Sequence, residues 1–349
     1  MSQKIQCAVL GATGAVGQRF IQLLEGHPWF EVTGVCASEK SAGKSYAEAM
    51  QGRWKLPTPI PREVGKLMVQ ECDPAKVKVR LAFSGLDSNV AGPIEEAFAR
   101  AGVGVISNSK NHRMDADVPL LVPEINAAHL DAVKKQKFGR GGFIVTDPNC
   151  STIGMVMALA PLHEKWGVEK VSVVTMQAVS GAGYPGVPSL DILDNVVPYI
   201  SGEEEKMETE ARKILGSWKD GAFKDAAVTV SASCNRVATI DGHLESVSFA
   251  LGKQVSAEEI KATWRDWKPL KALKLPSAPE QPIVYREELD RPQPRLDRME
   301  AKGMGVVVGR LRPCKLLGWK MSVLSHNTIR GAAGAAILNA ELLKTKGYV

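Results

Sequence analysis

The chain has 349 residues, 44% of them hydrophobic and 23% charged, which is typical of a globular protein with room for two domains of ordinary size. No apolar run approaches the roughly 18 residues that a membrane span needs, and the start of the chain, without a charged leader and cleavage site, predicts a cytoplasmic protein. The net charge of +6 comes from dispersed Lys and Arg with few aromatic residues, which disfavours nucleic-acid binding and favours small anions such as phosphates and carboxylates.

The first half of the chain alternates strands with helices. The predicted elements are, in chain order, a strand at Ile5–Leu10, a glycine-rich loop at 11–17, a helix at 18–24, a strand at Phe30–Ala37, a strand ending near Phe83, a helix at 93–101, a strand at 105–106 and a strand at Phe143–Thr146. This alternation predicts a parallel sheet with helices on both faces, an α/β domain of the Rossmann type.

The pattern changes in the second half of the chain. The elements predicted there are a helix at 151–165, a strand at 171–178, helices at 191–200 and 205–215, strands at 244–251 and 305–311, and an Ala-rich helix at 328–343. The longer and more alternating strands indicate an antiparallel or mixed sheet. We therefore expect two domains, one formed by 1–149 together with 327–349 and the other by 150–326.

A glycine-rich loop separates the first strand from the first helix. Its residues are Gly11, Ala12, Thr13, Gly14, Ala15, Val16 and Gly17. The spacing departs from the common G-x-G-x-x-G, but the strand before it and the helix after it are the context of a dinucleotide site. Glycines let the backbone approach a pyrophosphate, and the helix N-terminus adds amides and a positive dipole. We predict that Gly11, Thr13, Gly14, Ala15, Val16 and Gly17 bind a dinucleotide; a tight structural turn is the alternative.

The end of the second strand bears on which dinucleotide is used. An NAD site usually has an acidic residue there, whereas this strand ends at Ala37-Ser38 and Glu39 comes one position late. Ser38 and Ser41 can donate hydrogen bonds to a 2′-phosphate, and Lys40 or Lys44 can neutralise it. This pattern favours NADP over NAD; a solvated loop is the alternative. Ser84 and Gly85, which follow the strand near Phe83, are further predicted cofactor contacts.

The strongest candidate nucleophile is Cys150, which follows a strand and begins a helix. Helix amides and the helix dipole stabilise a thiolate at such a position. Asn149 beside it has an amide that could polarise a carbonyl group. None of the six cysteines has CxxC spacing, so we expect neither a metal site nor a disulfide framework. His243, after the Asp241-Gly242 turn, is a candidate proton partner, but its position alone does not distinguish it from a structural histidine.

Several segments together resemble one enzyme family. They are 11–17, Ser107 to Met114 (SNSKNHRM), Val122 to Asn126 (VPEIN), Pro148 to Thr152 (PNCST), Gln177 to Gly186 (QAVSGAGYPG) and Asn235 to His243 (NRVATIDGH). In this order they resemble the aspartate-semialdehyde dehydrogenases of the archaeal and fungal branch, over nearly the whole chain. The resemblance implies a Rossmann-type domain plus an α/β catalytic and dimerisation domain of the glyceraldehyde-3-phosphate dehydrogenase type. It also implies NADPH-dependent reduction of β-aspartyl phosphate to aspartate semialdehyde, at the branch point to lysine, methionine, threonine and diaminopimelate, by a homodimer or homotetramer.

The resemblance assigns roles residue by residue. It makes Cys150 the nucleophile, His243 the acid/base, Arg236 the binder of the substrate α-carboxylate, Gln177 part of the acyl pocket, Arg113 and Lys206 phosphate contacts, Glu203 the contact of the substrate amine, and Asn327 a contact of the nicotinamide amide. The adjacent glutamates 204 and 205 leave the amine contact uncertain by a residue, and a solvated helix start is the alternative for that run. Small residues in the loop containing Gly181 and Gly183 would allow the nicotinamide to approach Cys150.

The chemistry of these residues agrees with acyl transfer, since a soft thiolate attacks an acyl phosphate and the resulting thioester accepts hydride. Four alternatives stay open at this point. A malonyl-CoA reductase has a closely similar scaffold, and an N-acetylglutamyl-phosphate reductase is a more distant relative. A cysteine hydrolase would use Cys150 and His243 without hydride, although the glycine loop argues against it. A redox-sensing NADP-binding protein would lack turnover.

Overall fold

The computed structural model describes residues 3–349, which form two compact units. The first unit consists of 3–121, 129–147 and 333–349, and the second of 122–128 and 148–332. Each unit contains a six-stranded sheet. The predicted α/β fold class, with a parallel Rossmann-type sheet and a second sheet of different type, is confirmed.

The sheet of the first unit is parallel throughout, with strand order β3-β2-β1-β4-β5-β6. Its strands are β1 Ile5–Leu10, β2 Phe30–Ala37, β3 Val69–Glu71, β4 Leu81–Ser84, β5 Gly104–Ser107 and β6 Phe143–Thr146. Every residue of β4, β5 and β6 is buried, as expected for parallel strands covered by helices on both faces. The strand order reverses beside β1, and ligands of such sheets bind at this point.

The main sheet of the second unit is mixed, with strand order β10-β7-β11-β14-β13-β12. The strands of this unit are β7 Val168–Gln177, β8 Ser217–Lys219, β9 Ala222–Lys224, β10 Thr229–Arg236, β11 His243–Leu251, β12 Ile283–Arg286, β13 Val306–Cys314 and β14 Gly318–Ser325; β8 and β9 form a separate hairpin. β7 runs parallel to β10 and antiparallel to β11. The ends of β7 and β10 and the start of β11 therefore meet at one edge of the sheet.

The helices vary from single turns to long buried elements. They are α1 Ala15–Leu24, α2 Tyr46–Ala49, α3 Arg62–Gly65, α4 Ser88–Arg100, α5 Pro123–Asn126, α6 Cys150–Trp166, α7 Ser189–Ile192, α8 Glu203–Leu215, α9 Ala257–Asp266, α10 Pro294–Asp297 and α11 Gly334–Thr345. A π-helical turn at Ile329–Ala333 precedes α11, within the segment predicted as one terminal helix. No helix within residues 3–349 combines the length and the apolar character that a bilayer crossing requires.

Helix α6 is buried on all sides along its first three turns, from Ser151 to Leu162. Its sequence is apolar all round rather than on one stripe, which is the pattern of a helix enclosed by protein. It packs against the second sheet and against α8 and α9. The indole Nε1 of the buried Trp264 on α9 donates a hydrogen bond of 2.8 Å to the carbonyl oxygen of Ala158. A rigid support of this kind fixes the position of the first residue of α6, which is Cys150.

The helix predicted at 191–200 is wrong. Only Ser189–Ile192 is helical, and Asp194 has a positive φ of 57°. Val197 and Arg236 then exchange backbone hydrogen bonds of 2.9 and 3.1 Å, so this segment pairs with a strand instead. Pro198 adds a further obstacle, because proline has no amide hydrogen and disfavours a helical conformation of the residue before it.

Candidate functional site

Cys150 is the first residue of α6 and is partly exposed. Asn149 caps the helix: its φ and ψ are −55° and 144°, and its side-chain oxygen accepts hydrogen bonds from the amides of Ser151 and Thr152 at 3.0 and 3.3 Å. A capped helix start directs the positive end of the helix dipole towards the Cys150 side chain. The position predicted for Cys150, directly at the start of a helix, is confirmed.

The Cys150 thiol lies 3.1 Å from Nε2 of His243, although 93 residues separate the two in the chain. His243 begins β11 and is fully buried. The backbone amide of Ala178 donates a hydrogen bond of 3.0 Å to Nδ1 of the same ring. Because an amide N–H can only donate, Nδ1 must be the acceptor, and the proton of the neutral imidazole is on Nε2. Nε2–H therefore donates to the sulfur of Cys150.

The charge state of His243 follows from its surroundings. Burial, and secondly the positive charge of Arg236, lower the pKa of His243 to about 3. Burial therefore favours the neutral form of the ring at physiological pH. A thiolate at Cys150 is stabilised by the hydrogen bond from Nε2–H, the helix dipole and the guanidinium of Arg236.

Arg236 ends β10 and lies at the same sheet edge as His243. Its side chain is buried, and Nη1 donates a hydrogen bond of 2.7 Å to the carbonyl oxygen of Ala178. The single residue Ala178 thereby holds His243 through its N–H and Arg236 through its C=O. A β-carbon built on Gly181 would lie 2.9 Å from Nη1 of Arg236 and 3.2 Å from Cε1 of His243, so only glycine fits there without displacing these side chains.

Glu203 distinguishes itself from the two glutamates that follow it. Its carboxylate accepts hydrogen bonds of 3.0 and 2.9 Å from the Asn149 side-chain amide and 2.5 Å from Lys206 Nζ. Gln177 Nε2 lies 3.4 Å from the same carboxylate. Burial raises the pKa of Glu203, but Lys206 and Asn149 outweigh burial and bring the pKa below its usual value. Glu203 is therefore a buried carboxylate beside the nucleophile, whereas Glu205 is exposed.

Asn327 lies next to the loop that contains Gly181 and Gly183. Its side-chain oxygen accepts a hydrogen bond of 2.8 Å from the amide of Gly242, and its Nδ2 donates one of 2.8 Å to the hydroxyl of Ser180. Asn327 is buried and so connects this loop to the turn that precedes His243. Gly183 has a positive φ of 73°, a conformation that favours glycine.

The predicted cofactor loop lies in the first unit, between β1 and α1. Gly11 has a positive φ of 75°, and a β-carbon built on it would lie 2.8 Å from the carbonyl oxygen of Gly85. A β-carbon on Gly17 would lie 2.2 Å from the carbonyl oxygen of Gly11, so neither position accepts a side chain. Gly14 caps α1 without any side-chain hydrogen bond, which leaves the helix start to an anion. This geometry fits a dinucleotide, with Thr13, Ala15 and Val16 half-buried along the loop.

The residues predicted to recognise the 2′-phosphate lie just after β2. Ser38 and Lys44 are exposed, whereas Ser41 is buried, and its amide donates a hydrogen bond of 2.9 Å to the Ser38 carbonyl. Ser84 is fully buried at the end of β4, so its side chain is part of the sheet interior. The exposed Ser38, Lys40 and Lys44 are better placed than the buried Ser41 and Ser84 to meet a phosphate.

Arg113, predicted to bind phosphate, belongs to the first unit and is buried, with Nη2 donating a hydrogen bond of 2.8 Å to the carbonyl oxygen of Asn108. The second unit brings together seven of the predicted residues around the start of α6. These are Asn149, Cys150, Gln177, Glu203, Lys206, Arg236 and His243. Arg113 and the glycine loop belong to the first unit.

Two residues beside the nucleophile are absent from the predicted set. A carboxylate oxygen of Glu210 on α8 accepts a hydrogen bond of 2.7 Å from the backbone amide of Asn149. A β-carbon built on Gly331, in the π-helical turn, would lie 2.8 Å from Cβ of Cys150. Gly331 is one of two glycines in an Ala-rich helical segment, and a glycine in such a segment is a signal for close packing. Nothing in the sequence connects Glu210 with a residue 61 positions earlier.

Comparison with known proteins agrees with this geometry. The chain matches two family models, "Semialdehyde dehydrogenase, NAD binding domain" over residues 6–133 and "Semialdehyde dehydrogenase, dimerisation domain" over residues 159–330. It is 50% identical over 337 residues to an aspartate-semialdehyde dehydrogenase of Archaeoglobus fulgidus, covering 96% of each chain. It is 46% identical over 368 residues to that of Saccharomyces cerevisiae, covering all of both.

Solved structures give the same result. A crystal structure of aspartate semialdehyde dehydrogenase with NADP from Candida albicans has a TM-score of 0.91 and 46% identity, covering 99% of this chain and 100% of that one. Another, of aspartate semialdehyde dehydrogenase II complexed with ASA from Vibrio cholerae, has a TM-score of 0.79 and 27% identity over the full length of both chains. The predicted resemblance is confirmed, and the chain belongs to the aspartate-semialdehyde dehydrogenase family.

Proposed function

We propose that the protein catalyses the NADP-dependent reductive dephosphorylation of β-aspartyl phosphate to aspartate semialdehyde and phosphate, and the reverse phosphorylating oxidation. The observation that carries the proposal is the 3.1 Å contact between Cys150 Sγ and His243 Nε2 at the start of α6, beside the buried Arg236 and Glu203. Family membership supports the activity, and the Candida albicans relative was solved with NADP.

The two compact units correspond in this proposal to an NADP-binding domain and a catalytic domain, near the predicted bounds of 1–149 with 327–349 and 150–326. The match of the NAD-binding family model to residues 6–133 supports the first assignment. Gly11, Gly14 and Gly17 would hold the pyrophosphate, and Ser38 and Lys44 the 2′-phosphate. Bound NADPH supplies the hydride that reduces the acyl group.

Cys150 performs the first step in this proposal. The thiolate attacks the acyl carbon of β-aspartyl phosphate, a carbon–sulfur bond forms, and the carbon–oxygen bond to the phosphate breaks. Phosphate leaves with its electron pair, and the enzyme carries a thioester. The side-chain amide of Asn149, which the Glu203 carboxylate holds, lies beside the same sulfur-bearing residue, and an N–H of this amide is the group there that can polarise the acyl carbonyl.

His243 acts as a donor at Nε2 rather than as the base that deprotonates Cys150. The ring nitrogen that faces the sulfur already carries the proton, because Ala178 N–H occupies Nδ1. Nε2–H stabilises the resting thiolate and then the oxygen of the reacting carbonyl as negative charge accumulates there. Reduction of the thioester gives a tetrahedral species at the acyl carbon. When its carbon–sulfur bond breaks, the aldehyde forms and Cys150 becomes a thiolate again, which accepts a hydrogen bond from the same Nε2–H.

Substrate recognition is assigned by charge. Arg236 is suited to the α-carboxylate, because a guanidinium forms two parallel hydrogen bonds with a carboxylate. Glu203, whose pKa is held below its usual value, is suited to the ammonium group. Lys206 is suited to the phosphate, and the family resemblance assigns a phosphate contact to Arg113 as well. A malonyl group has no ammonium to pair with Glu203, so the buried carboxylate favours the amino acid derivative over malonyl-CoA.

A spectrophotometric assay tests the proposal. Purified protein given aspartate semialdehyde and NADP should form NADPH only when inorganic phosphate is present, and the Cys150→Ser variant should lose this activity by several orders of magnitude while still binding NADP. Malonyl-CoA with NADPH is the comparison substrate. A wild-type protein without phosphate-dependent turnover, or a Cys150→Ser variant that retains more than about a tenth of it, contradicts the proposal.

The protein acts as an oligomer in this proposal, as a homodimer or homotetramer formed through the second unit. The family model of its residues 159–330 is a dimerisation domain, and the segment around α7 exposes large apolar side chains, Leu190, Leu193 and Tyr199 among them. Light scattering of the purified protein distinguishes dimer from tetramer. The cytoplasmic location stays a prediction, which subcellular fractionation tests.

A further inference from the structure

Glutamates on two sides of helix α8 accept hydrogen bonds from amide groups, and the two sides hold different neighbours. Glu204 and Glu208, one turn apart, accept hydrogen bonds of 3.0 Å each from the amides of Cys234 and Ala232 on the edge strand β10. Glu203 and Glu210 are seven residues apart, which is almost two full turns, so they project from one other side of the helix. That side faces the start of α6.

Both of these carboxylates hold Asn149, the residue before the nucleophile. Glu203 accepts hydrogen bonds from the Asn149 side-chain amide, and Glu210 accepts one of 2.7 Å from its backbone amide. The side-chain oxygen of Asn149 is used by the amides of Ser151 and Thr152. Asn149 is thus fixed through its backbone and through both ends of its side chain.

Glu210 takes the place that a residue of α6 itself usually fills. In a capping box the third residue of a helix is Glu or Gln, and its side chain accepts a hydrogen bond from the amide of the N-cap residue. The third residue of α6 is Thr152, which is too short for that contact and lacks a carboxylate. The buried Glu210, only 2% exposed, supplies the acceptor from α8 instead. A buried amide without this acceptor would lose a charge-assisted hydrogen bond.

We propose that Glu210 is a positioning residue for the reaction: its carboxylate fixes the Asn149 peptide, and thereby keeps Cys150 Sγ in hydrogen-bond contact with Nε2 of His243. This inference rests on the proposed function and adds to it a residue that does not touch the substrate. The peptide that Glu210 holds leads directly into Cys150, and α6 behind it is rigidly enclosed. A rotation of this peptide therefore moves the thiol rather than the helix.

Matched alanine variants separate positioning from stability. Glu210→Ala and Glu208→Ala each remove a carboxylate of α8 from one backbone amide, but only the amide held by Glu210 belongs to the residue before Cys150. Because Glu210 is buried and Glu208 is half-buried, we expect the larger loss of melting temperature in Glu210→Ala, and both variants are therefore assayed well below their melting temperatures. In phosphate-dependent oxidation of aspartate semialdehyde, kcat should fall about tenfold or more for Glu210→Ala and stay near wild type for Glu208→Ala, with NADP affinity unchanged in both. Glu210→Gln retains an acceptor oxygen and should recover most of the lost kcat.

Alkylation of Cys150 provides a readout that needs no turnover. Iodoacetamide modification, followed on the Cys150 peptide by mass spectrometry over a range of pH, reports the thiolate. In Glu210→Ala the sulfur loses the hydrogen bond from His243, so alkylation at neutral pH should slow and the midpoint of its pH profile should rise, while Glu208→Ala matches wild type. Equal effects of the two variants on kcat and alkylation, or no effect of Glu210→Ala on either, overturn the proposal. If the wild type itself has no phosphate-dependent turnover, the proposed function fails, and the alkylation comparison alone decides the role of Glu210.

Discussion

Replacing Arg236 by lysine keeps the positive charge at the sheet edge and removes the planar fork. In the wild type, Nη1 of Arg236 already donates to the carbonyl oxygen of Ala178 at 2.7 Å, and the other guanidinium nitrogens are available to a carboxylate. A lysine has a single nitrogen at the end of its chain. It can serve the Ala178 carbonyl or the substrate carboxylate well, but not both with the geometry of the guanidinium.

The magnitude follows from this count of donors. Arg236→Lys loses at least one hydrogen bond to a charged group, which contributes about 1.5–3 kcal/mol. Since about 1.4 kcal/mol corresponds to a factor of ten, kcat/KM for aspartate semialdehyde should fall about ten- to a hundredfold. The Ala178 peptide also holds Nδ1 of His243, so a disturbance of this peptide displaces His243 as well. The value of kcat should therefore fall together with the rise of KM.

The assay is steady-state NADPH formation with saturating phosphate, with aspartate semialdehyde varied and then NADP varied. NADP affinity should not change, because Arg236 is assigned to the carboxylate of the substrate and not to the cofactor. In the same assay, Glu203→Gln should lower the turnover of aspartate semialdehyde, because the ammonium group of this substrate pairs with the Glu203 carboxylate. A change of less than about threefold in kcat/KM for Arg236→Lys, well under the loss of one such hydrogen bond, would refute the assignment of the carboxylate to Arg236.

Three further substitutions test other parts of the structure. Gly331→Ala places a β-carbon 2.8 Å from Cβ of Cys150; it should destabilise the protein by about 1–3 kcal/mol and reduce kcat, and wild-type melting and turnover would contradict this contact. Glu245→Gln removes a fully buried carboxyl group, and burial raises the pKa of this group well above its ordinary 4.5. Because the folded state binds the extra proton, the stability of the wild type should decline relative to the variant as pH rises above 4.5. Melting temperatures of the two proteins that change in parallel with pH would contradict this. Ser38→Asp introduces an acidic residue after β2 and should lower the NADP-to-NAD ratio of kcat/KM about tenfold; an unchanged or higher ratio would mean that Ser38 does not face the 2′-phosphate.

Local patterns of the sequence predicted the elements of the N-terminal βαβ unit and the position of Cys150. The strand, glycine loop and helix at the N-terminus are consecutive in the chain, so their order alone predicts the βαβ unit and its dinucleotide site. The strand that ends at Thr146 and the helix that begins at Cys150 likewise lie side by side, which is why the helix-start position of Cys150 could be predicted. The helix predicted at 191–200 failed because Val197 pairs with Arg236, a contact that no local pattern contains.

Only the tertiary structure decided which distant residues meet Cys150. His243 could be assigned from its position only with the help of a family resemblance, because the contact depends on the register of β7, β10 and β11, which brings the ends of two strands and the start of a third to one sheet edge. The Ala178 amide places the proton of His243 on Nε2, and burial lowers the pKa of the ring. Neither property could be predicted from the residues that neighbour His243 in the chain. Glu210 is the clearest case, since a glutamate on an amphipathic helix has the same local pattern whether it faces solvent or holds the peptide before a nucleophile; the packing of α8 against α6 makes the difference.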